Sequence, residues 1–226
     1  MRKKLLQKEA YKEGIEFQFV SPIELGPITS YSLLHDPIHM AFVLSRYKFV
    51  ARMLSGKRKV LELGCGDAFG TPIVAQFVKS LTASEIDPRY VEDNKKRLAK
   101  IGNIKFELFN ICEGKTKEKF DAIYSIDVIE HLDRHLTKSF LENSADSLTS
   151  DGVCIVGTPN ITSAKYASKQ SRIQHINLQS QESLRIHLEK YFRNVFMFSM
   201  NDEVVHTGFA PMAHYIWGMG VGVKTV

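Results

Sequence analysis

The chain has 226 residues, 44% of them hydrophobic and 24% charged, and 30 Lys and Arg against 25 Asp and Glu give a formal net charge of +5. That length and apolar content suffice to bury a full α/β core in one enzyme-sized domain, and no repeat or low-complexity segment appears. No run of about 18 apolar residues exists to span a membrane. The start, MRKKLLQKEAYKEG, is basic but lacks the apolar core and cleavage site of a secretory leader. Cys65, Cys112 and Cys154 form no CxxC pair and read as reduced thiols, so a cytoplasmic protein is expected. Lysines and arginines are scattered over Lys3-Lys4, Lys57-Arg58-Lys59, Lys95-Lys96-Arg97 and Lys115/Lys117/Lys119, which is not the concentrated basic face of a nucleic-acid binder.

Residues 1–55 are expected to form a helical cap, and 56–226 the main domain. Asp36-Pro37 is a helix start, and Met40, Val43, Leu44, Tyr47, Val50 and Leu54 recur at helical spacing through Ile38 to Leu54. The most informative stretch follows, VLELGCGDAFGT at 60–71. It predicts a strand, a tight turn and a helix opening at Thr71-Pro72. Gly64 and Gly66 let the backbone pass close to a ligand where a Cβ would collide. Three residues separate Gly66 from Gly70, unlike the pyrophosphate-binding G-x-G-x-x-G, and Glu62 would repel a diphosphate but attract a cation.

This E-x-G-x-G at a strand end resembles motif I of the class I S-adenosylmethionine-dependent methyltransferases, whose cofactor carries an ammonium and a sulfonium. The resemblance implies cofactor contacts at Glu62, Gly64, Cys65 and Gly66. After a helix expected over Thr71 to Lys79, the run LTASEI ends at Glu85, the implied ribose ligand, with Ile86 beside it. Asp87-Pro88 reads as a helix cap, and Val91 to Lys100 as a solvated helix with Glu92/Lys96 and Asp93/Arg97 pairs. A third strand, Ile104 to Phe109, ends at Asn110-Ile111, where the family holds the adenine. The Pro22 to His35 segment resembles the variable N-terminal cap that contributes substrate contacts; a lid with no ligand contact reads equally well.

The fourth strand is FDAIYSI, Phe120 to Ile126, followed by Asp127-Val128-Ile129-Glu130-His131-Leu132. In a helical turn Asp127, Glu130 and His131 would share a face. With Thr158-Pro159-Asn160 after a fifth strand (Gly152 to Gly157) and His175 beyond, the pattern resembles two subfamilies. One is the quinone-biosynthesis O-methyltransferases, which carry similar EHL and TPN motifs. The other is the small-RNA 3′-end methyltransferases, in which E-x-x-E-H and a later histidine hold a divalent metal. Three readings stay open: Asp127, Glu130, His131 and His175 hold Mg²⁺, Mn²⁺ or Zn²⁺; His131 is a metal-free general base, with Asp127 and His175 beside it; or the cluster is structural.

A helix over Gln181 to Tyr191, a strand over Asn194 to Met200 and a last apolar run from His214 to Val221 complete the chain. The resemblance implies a doubly wound, seven-stranded Rossmann-like sheet in the order 3-2-1-4-5-7-6. His206 falls in a polar loop, Asn201 to Thr207, placed to cover the site. A nicotinamide reductase is set aside because none of the eight tyrosines begins a Y-x-x-x-K pair. An Asx-Pro-Pro-aromatic N-methyltransferase signature after the fourth strand is also absent. The sequence therefore leads to a methyltransferase using S-adenosylmethionine on the hydroxyl of a small metabolite or a glycan or sugar-phosphate precursor. The alternatives are a metal-dependent RNA 3′-end 2′-O-methyltransferase and a non-catalytic cofactor-binding protein.

Overall fold

The structure, a computed structural model, describes residues 22–224, so the first part of the expected cap, with its basic stretch, lies outside the described residues. Two helices open the described chain, α1 (Pro27–His35) and α2 (Pro37–Met53), each with proline in its first turn. The Asp36 side chain accepts from the backbone N–H of His39 and caps α2. The apolar stripe of α2 docks Tyr47, Val50 and Ala51 beside the sheet, in one cluster with Leu54, Val60, Tyr124 and Trp217.

One sheet of eight strands runs in the order β3-β2-β1-β4-β5-β8-β6-β7. β1 (Lys59–Leu63) pairs in parallel with β2 (Ser80–Glu85) and with β4 (Phe120–Ile126), and β2 pairs with β3 (Ile104–Leu108). β4 continues to β5 (Leu148–Pro159), which meets β8 (Tyr215–Val223) antiparallel. The crossover helices α3 (Thr71–Ala75), α4 (Pro88–Arg97) and α5 (Leu136–Asp146) link the parallel strands. α6 (Lys169–Gln174) and α7 (Gln181–Glu189) precede β6 (Phe192–Asn201). A second core cluster joins Leu61, Ile123 and Ile155's neighbour Cys154 to Phe140, Leu184 and Leu188 on the opposite face of the sheet.

The expected strand order holds, with one strand added. β7 (Val204–His206) folds back on β6 through Asp202, whose φ of +50° makes the tight reversal. The segment read as a site-covering loop is therefore an edge hairpin. His206 bonds Asn201 and the Gly208 N–H there, which corrects its expected place. α3 stops at Ala75 rather than running to Lys79, because Phe77 and Lys79 form backbone bonds with Gly56 and Lys57 that lead directly into β2. On α4, Glu92 pairs with Lys95, not Lys96, while Asp93 pairs with Arg97 as expected.

Register places the functional edge. Leu63, the last residue of β1, lies opposite both Ser84 and Ser125, each one residue short of the end of its strand. Gly64 follows β1, Glu85 ends β2 and Asp127 follows β4, so the three come together at the carboxyl edge where the chain winds off in opposite directions, the place open α/β sheets bind ligands.

Candidate active site

Gly64 and Gly66 have φ of +71° and +54°, the left-handed region that L side chains avoid. A Cβ on Gly64 would also lie 2.6 Å from the Val128 side chain. The turn is held from below, where the Gly64 and Cys65 N–H groups donate to the Ser84 carbonyl at 2.9 and 3.0 Å. Glu85 holds it from the side, accepting from the N–H groups of Gly66 (2.9 Å), Ile86 (2.7 Å) and Asp87 (3.2 Å). Asn94 reaches from α4 to the Gly66 carbonyl at 2.7 Å. Cys65 is buried and its thiol pKa is pushed far up by that burial, so its sulfur is no nucleophile.

Two clefts meet at this turn. One, of about 420 Å³, runs from Gly64 and Gly66 past Glu85 and Ile86 to Asn110 and Ile111. Val128, His131 and Leu132 form its other wall. The second, of about 230 Å³, opens toward the helical cap between Thr29, Ser32, His39 and Met40. Ile28, Gly64, Gly66 and Asp127 belong to both. Most of the residues expected at the cofactor thus line one continuous space. Glu62 does not. It is 1% exposed, beneath the turn, and accepts from Tyr47 Oη at 3.0 Å and Thr71 Oγ1 at 2.7 Å. Burial pushes its pKa up to about 7 despite those hydroxyls. Glu62 braces the turn rather than meeting a ligand's charge.

Asp127, at the junction of the clefts, has φ of +55°, and its N–H donates to the Gly157 carbonyl at 3.1 Å. Its carboxylate is ion-paired with Arg46 of α2 at 2.6 Å. The Arg46 guanidinium lies 4.0 Å from the centre of the Tyr215 ring, a cation–π stack. Glu130 sits on a single 3-10 turn, Ile129–His131, and is fully buried. One of its oxygens accepts from Thr158 Oγ1 at 2.9 Å and the other has no partner. Burial, and next the neighbouring Asp127, push the Glu130 carboxyl upward toward its neutral form. The Thr158-Pro159-Asn160 motif thus serves as a brace: Thr158 for Glu130, and Asn160 for the Ala210 and Ala213 carbonyls.

His131 Nδ1 lies 3.2 Å from the Gln174 carbonyl, and its ring packs edge-on against His175 at 5.0 Å. Burial, then His131, push the His175 pKa down. Donor atoms of Glu130, His131 and His175 fall within 4.8 Å of one another. Asp127, expected as the fourth metal ligand, is not in that group, and its carboxylate turns to Arg46 instead. His214 stands apart, half-buried beside Phe42.

The residues that sequence reasoning missed come from the cap. Besides Arg46 and Tyr47, Thr29 donates to Asp67 from its N–H (2.7 Å) and its hydroxyl (3.1 Å), tying α1 to the glycine turn. Arg46 left one signal: a cation between Val43 and Val50 on the buried stripe of α2.

A doubly wound sheet with a glycine turn and a following acid at its carboxyl edge is the arrangement in which open α/β sheets hold a nucleotide-like cofactor. Residues 35–192 match the model of nodulation protein S (NodS), and the chain belongs to that family. It is 24% identical over 152 residues to nodulation protein S of Sinorhizobium fredii (strain NBRC 101917 / NGR234), covering 62% of this chain and 70% of that protein. It is 29% identical over 155 residues to (S)-coclaurine N-methyltransferase of Papaver somniferum, covering 66% of this chain and only 43% of that protein. Its fold is similar to that of N-methyltransferase NodS from Bradyrhizobium japonicum WM9 in complex with S-adenosyl-L-homocysteine, with a TM-score of 0.62 and 18% identity over 85% of this chain and 91% of that one.

Proposed function

We propose that the chain transfers the methyl group of S-adenosylmethionine to a hydroxyl of a small polar acceptor, a metabolite or a glycan or sugar-phosphate precursor. One observation carries this reading: His131 and Asp127 open into the same cleft as Glu85, Asn110 and Ile111. Glu85 takes the ribose hydroxyls, Asn110 and the Ile111 N–H take the adenine, and the glycine turn passes the amino-acid end. These contacts align the sulfonium methyl with the acceptor, an effect worth several kcal/mol of barrier. The acceptor oxygen attacks the methyl carbon, the carbon–sulfur bond breaks to leave neutral S-adenosylhomocysteine, and the acceptor proton passes to His131. If Nδ1–H donates to the Gln174 carbonyl, Nε2 is the free acceptor for that proton.

An amine acceptor is the second reading, favoured by the names of the relatives, two of which are N-methyltransferases. The missing Asx-Pro-Pro-aromatic signature does not decide between oxygen and nitrogen. Methyl transfer from labelled cofactor to matched sets of hydroxyl compounds, amines and short RNA 3′ ends tests all of these. Faster incorporation into hydroxyl compounds supports the proposal. Faster incorporation into amines or RNA moves the acceptor accordingly, and cofactor binding without turnover on any set leaves a non-catalytic binding protein.

A further inference from the structure

The two edges of the sheet are built differently. At one, β3 carries Lys105 and Glu107, ion-paired with each other, charges of the kind that keep a sheet edge from pairing again. At the other, β7 covers only residues 199–201 of β6. Residues 192–198 of β6, FRNVFMF, therefore have β8 on one side and, among the described residues, no strand on the other. The stretch holds a single charge, Arg193, which is turned to Asp151, and the rest is apolar but for Asn194. The Lys224 N–H donates to the Tyr191 carbonyl, so by alternation the N–H and C=O groups of Phe192, Asn194, Phe196 and Phe198 point away from β8. The Phe196 side chain beside them is 49% exposed.

What fits there is set by where the stretch stops. β7 blocks it after residue 198, and the turn out of α7 at Tyr191 blocks it before residue 192. Two such stretches use their whole length only if they pair antiparallel and centred on Val195. That register sets Asn194 of one copy against Phe196 of the other, and Phe192 against Phe198, so the outward groups of both strands meet. Charge agrees with it. Where the chain enters β6, Arg185 pairs with Glu189 and Arg193 with Asp151, which leaves Lys190 and Lys224 exposed and without an ion pair among the described residues. Past the exit of β6, Asp202 and Glu203 at the hairpin tip are exposed and unpaired in the same sense. Antiparallel pairing lays the acids of one copy toward the lysines of the other. We propose that β6 of this chain pairs with β6 of a second copy, giving a two-fold dimer with one continuous sheet. The two carboxyl edges then point to opposite ends, and each copy keeps its own glycine turn and clefts.

Light scattering of the full chain over a dilution series tests this. The wild type should show twice the 25.7 kDa chain mass when concentrated and move toward that mass on dilution. Asn194→Pro removes an outward N–H without touching the β8 ladder, and Phe196→Lys puts a charge on the apolar edge; each should raise the dimer dissociation constant about tenfold or more. Lys190→Glu should raise it about threefold, and Lys190→Glu with Glu203→Lys in the same chain should bring it back toward the wild-type value. A cooperative unfolding transition in each variant shows that it folds. If the two strand variants do not fold, the exposed charge swap carries the comparison. A wild type of single-chain mass at every concentration overturns the proposal; protection of the Phe196 amide from exchange in that monomer would give the edge to another part of the same chain. A dimer that none of these substitutions weakens has its interface elsewhere and overturns the proposal as well.

Discussion

The Tyr47 hydroxyl donates to Glu62 Oε1 at 3.0 Å, and the tyrosine ring fills the space a side chain on Gly70 would take. The neighbouring residue, Arg46, reaches Asp127. One turn of α2 therefore grips an acid within β1 and the acid that follows β4. The helical cap is a structural part of the site at the glycine turn.

This gives Tyr47→Phe a pH-dependent cost. The folded Glu62 carboxyl titrates at about 7, above its ordinary value of 4.5, so its contribution to stability is fully present below about 4.5 and is lost as pH rises through about 7. Hydrogen bonds from Thr71 and Tyr47 oppose the shift. Without the Tyr47 hydroxyl the folded value climbs further and the carboxylate formed at high pH is less well solvated. Denaturant unfolding should show a loss of about 1 kcal/mol at pH 5.5 and about 2 kcal/mol at pH 8.5. Equal losses at both values would mean that Glu62 does not titrate in the folded protein.

The parallel half of the fold was legible because each strand is a short apolar run closed by a turn residue: Leu63 by Gly64, Glu85 by Asp87-Pro88, Ile126 by Asp127. Strand order came from the family resemblance and not from these patterns. The β6–β7 hairpin was missed because Val204-Val205-His206 is too short and too polar at its ends to register as a strand. At the site, Glu62 was misplaced because its neighbours in sequence say nothing of Tyr47 and Thr71, which claim it from other elements. Arg46 escaped for the same reason: its partner lies 81 positions away.

Gly66→Val tests the turn itself. A branched residue strains a φ of +54°, and its side chain points toward Ile28 and into the space common to both clefts. Calorimetry should show at least a hundredfold loss of S-adenosylhomocysteine affinity, with a drop in thermal midpoint of only a few degrees. Retained affinity would place the cofactor elsewhere.

Asp67→Ala tests the tie between α1 and the turn. It removes the acceptor of both Thr29 bonds, one of them from the backbone N–H. About 1–3 kcal/mol should be lost from the docking of α1. Hydrogen exchange should speed up in residues 27–35 but not in β1 or β4, and the cofactor should dissociate faster because Ile28 no longer closes both clefts. Unchanged exchange in α1 would show that its apolar contacts alone hold it.

The last prediction separates an imidazole base from a metal. Glu130, His131 and His175 gather, but Asp127 is committed to Arg46, so the proposed chemistry runs on His131 without an ion. His131→Ala should lower kcat about a hundredfold or more for a hydroxyl acceptor while leaving cofactor affinity within about twofold, since the imidazole acts on the acceptor's proton. His175→Ala should cost far less, because that ring only packs against His131. Prolonged chelation should leave the wild-type rate unchanged. Ligands of one ion act as a unit. Matching collapse of both histidine variants, loss of activity on chelation, recovery with Mg²⁺, Mn²⁺ or Zn²⁺ and stoichiometric metal by elemental analysis would together reassign the three residues as ligands. Full activity in His131→Ala with chelator present would instead leave the whole cluster structural.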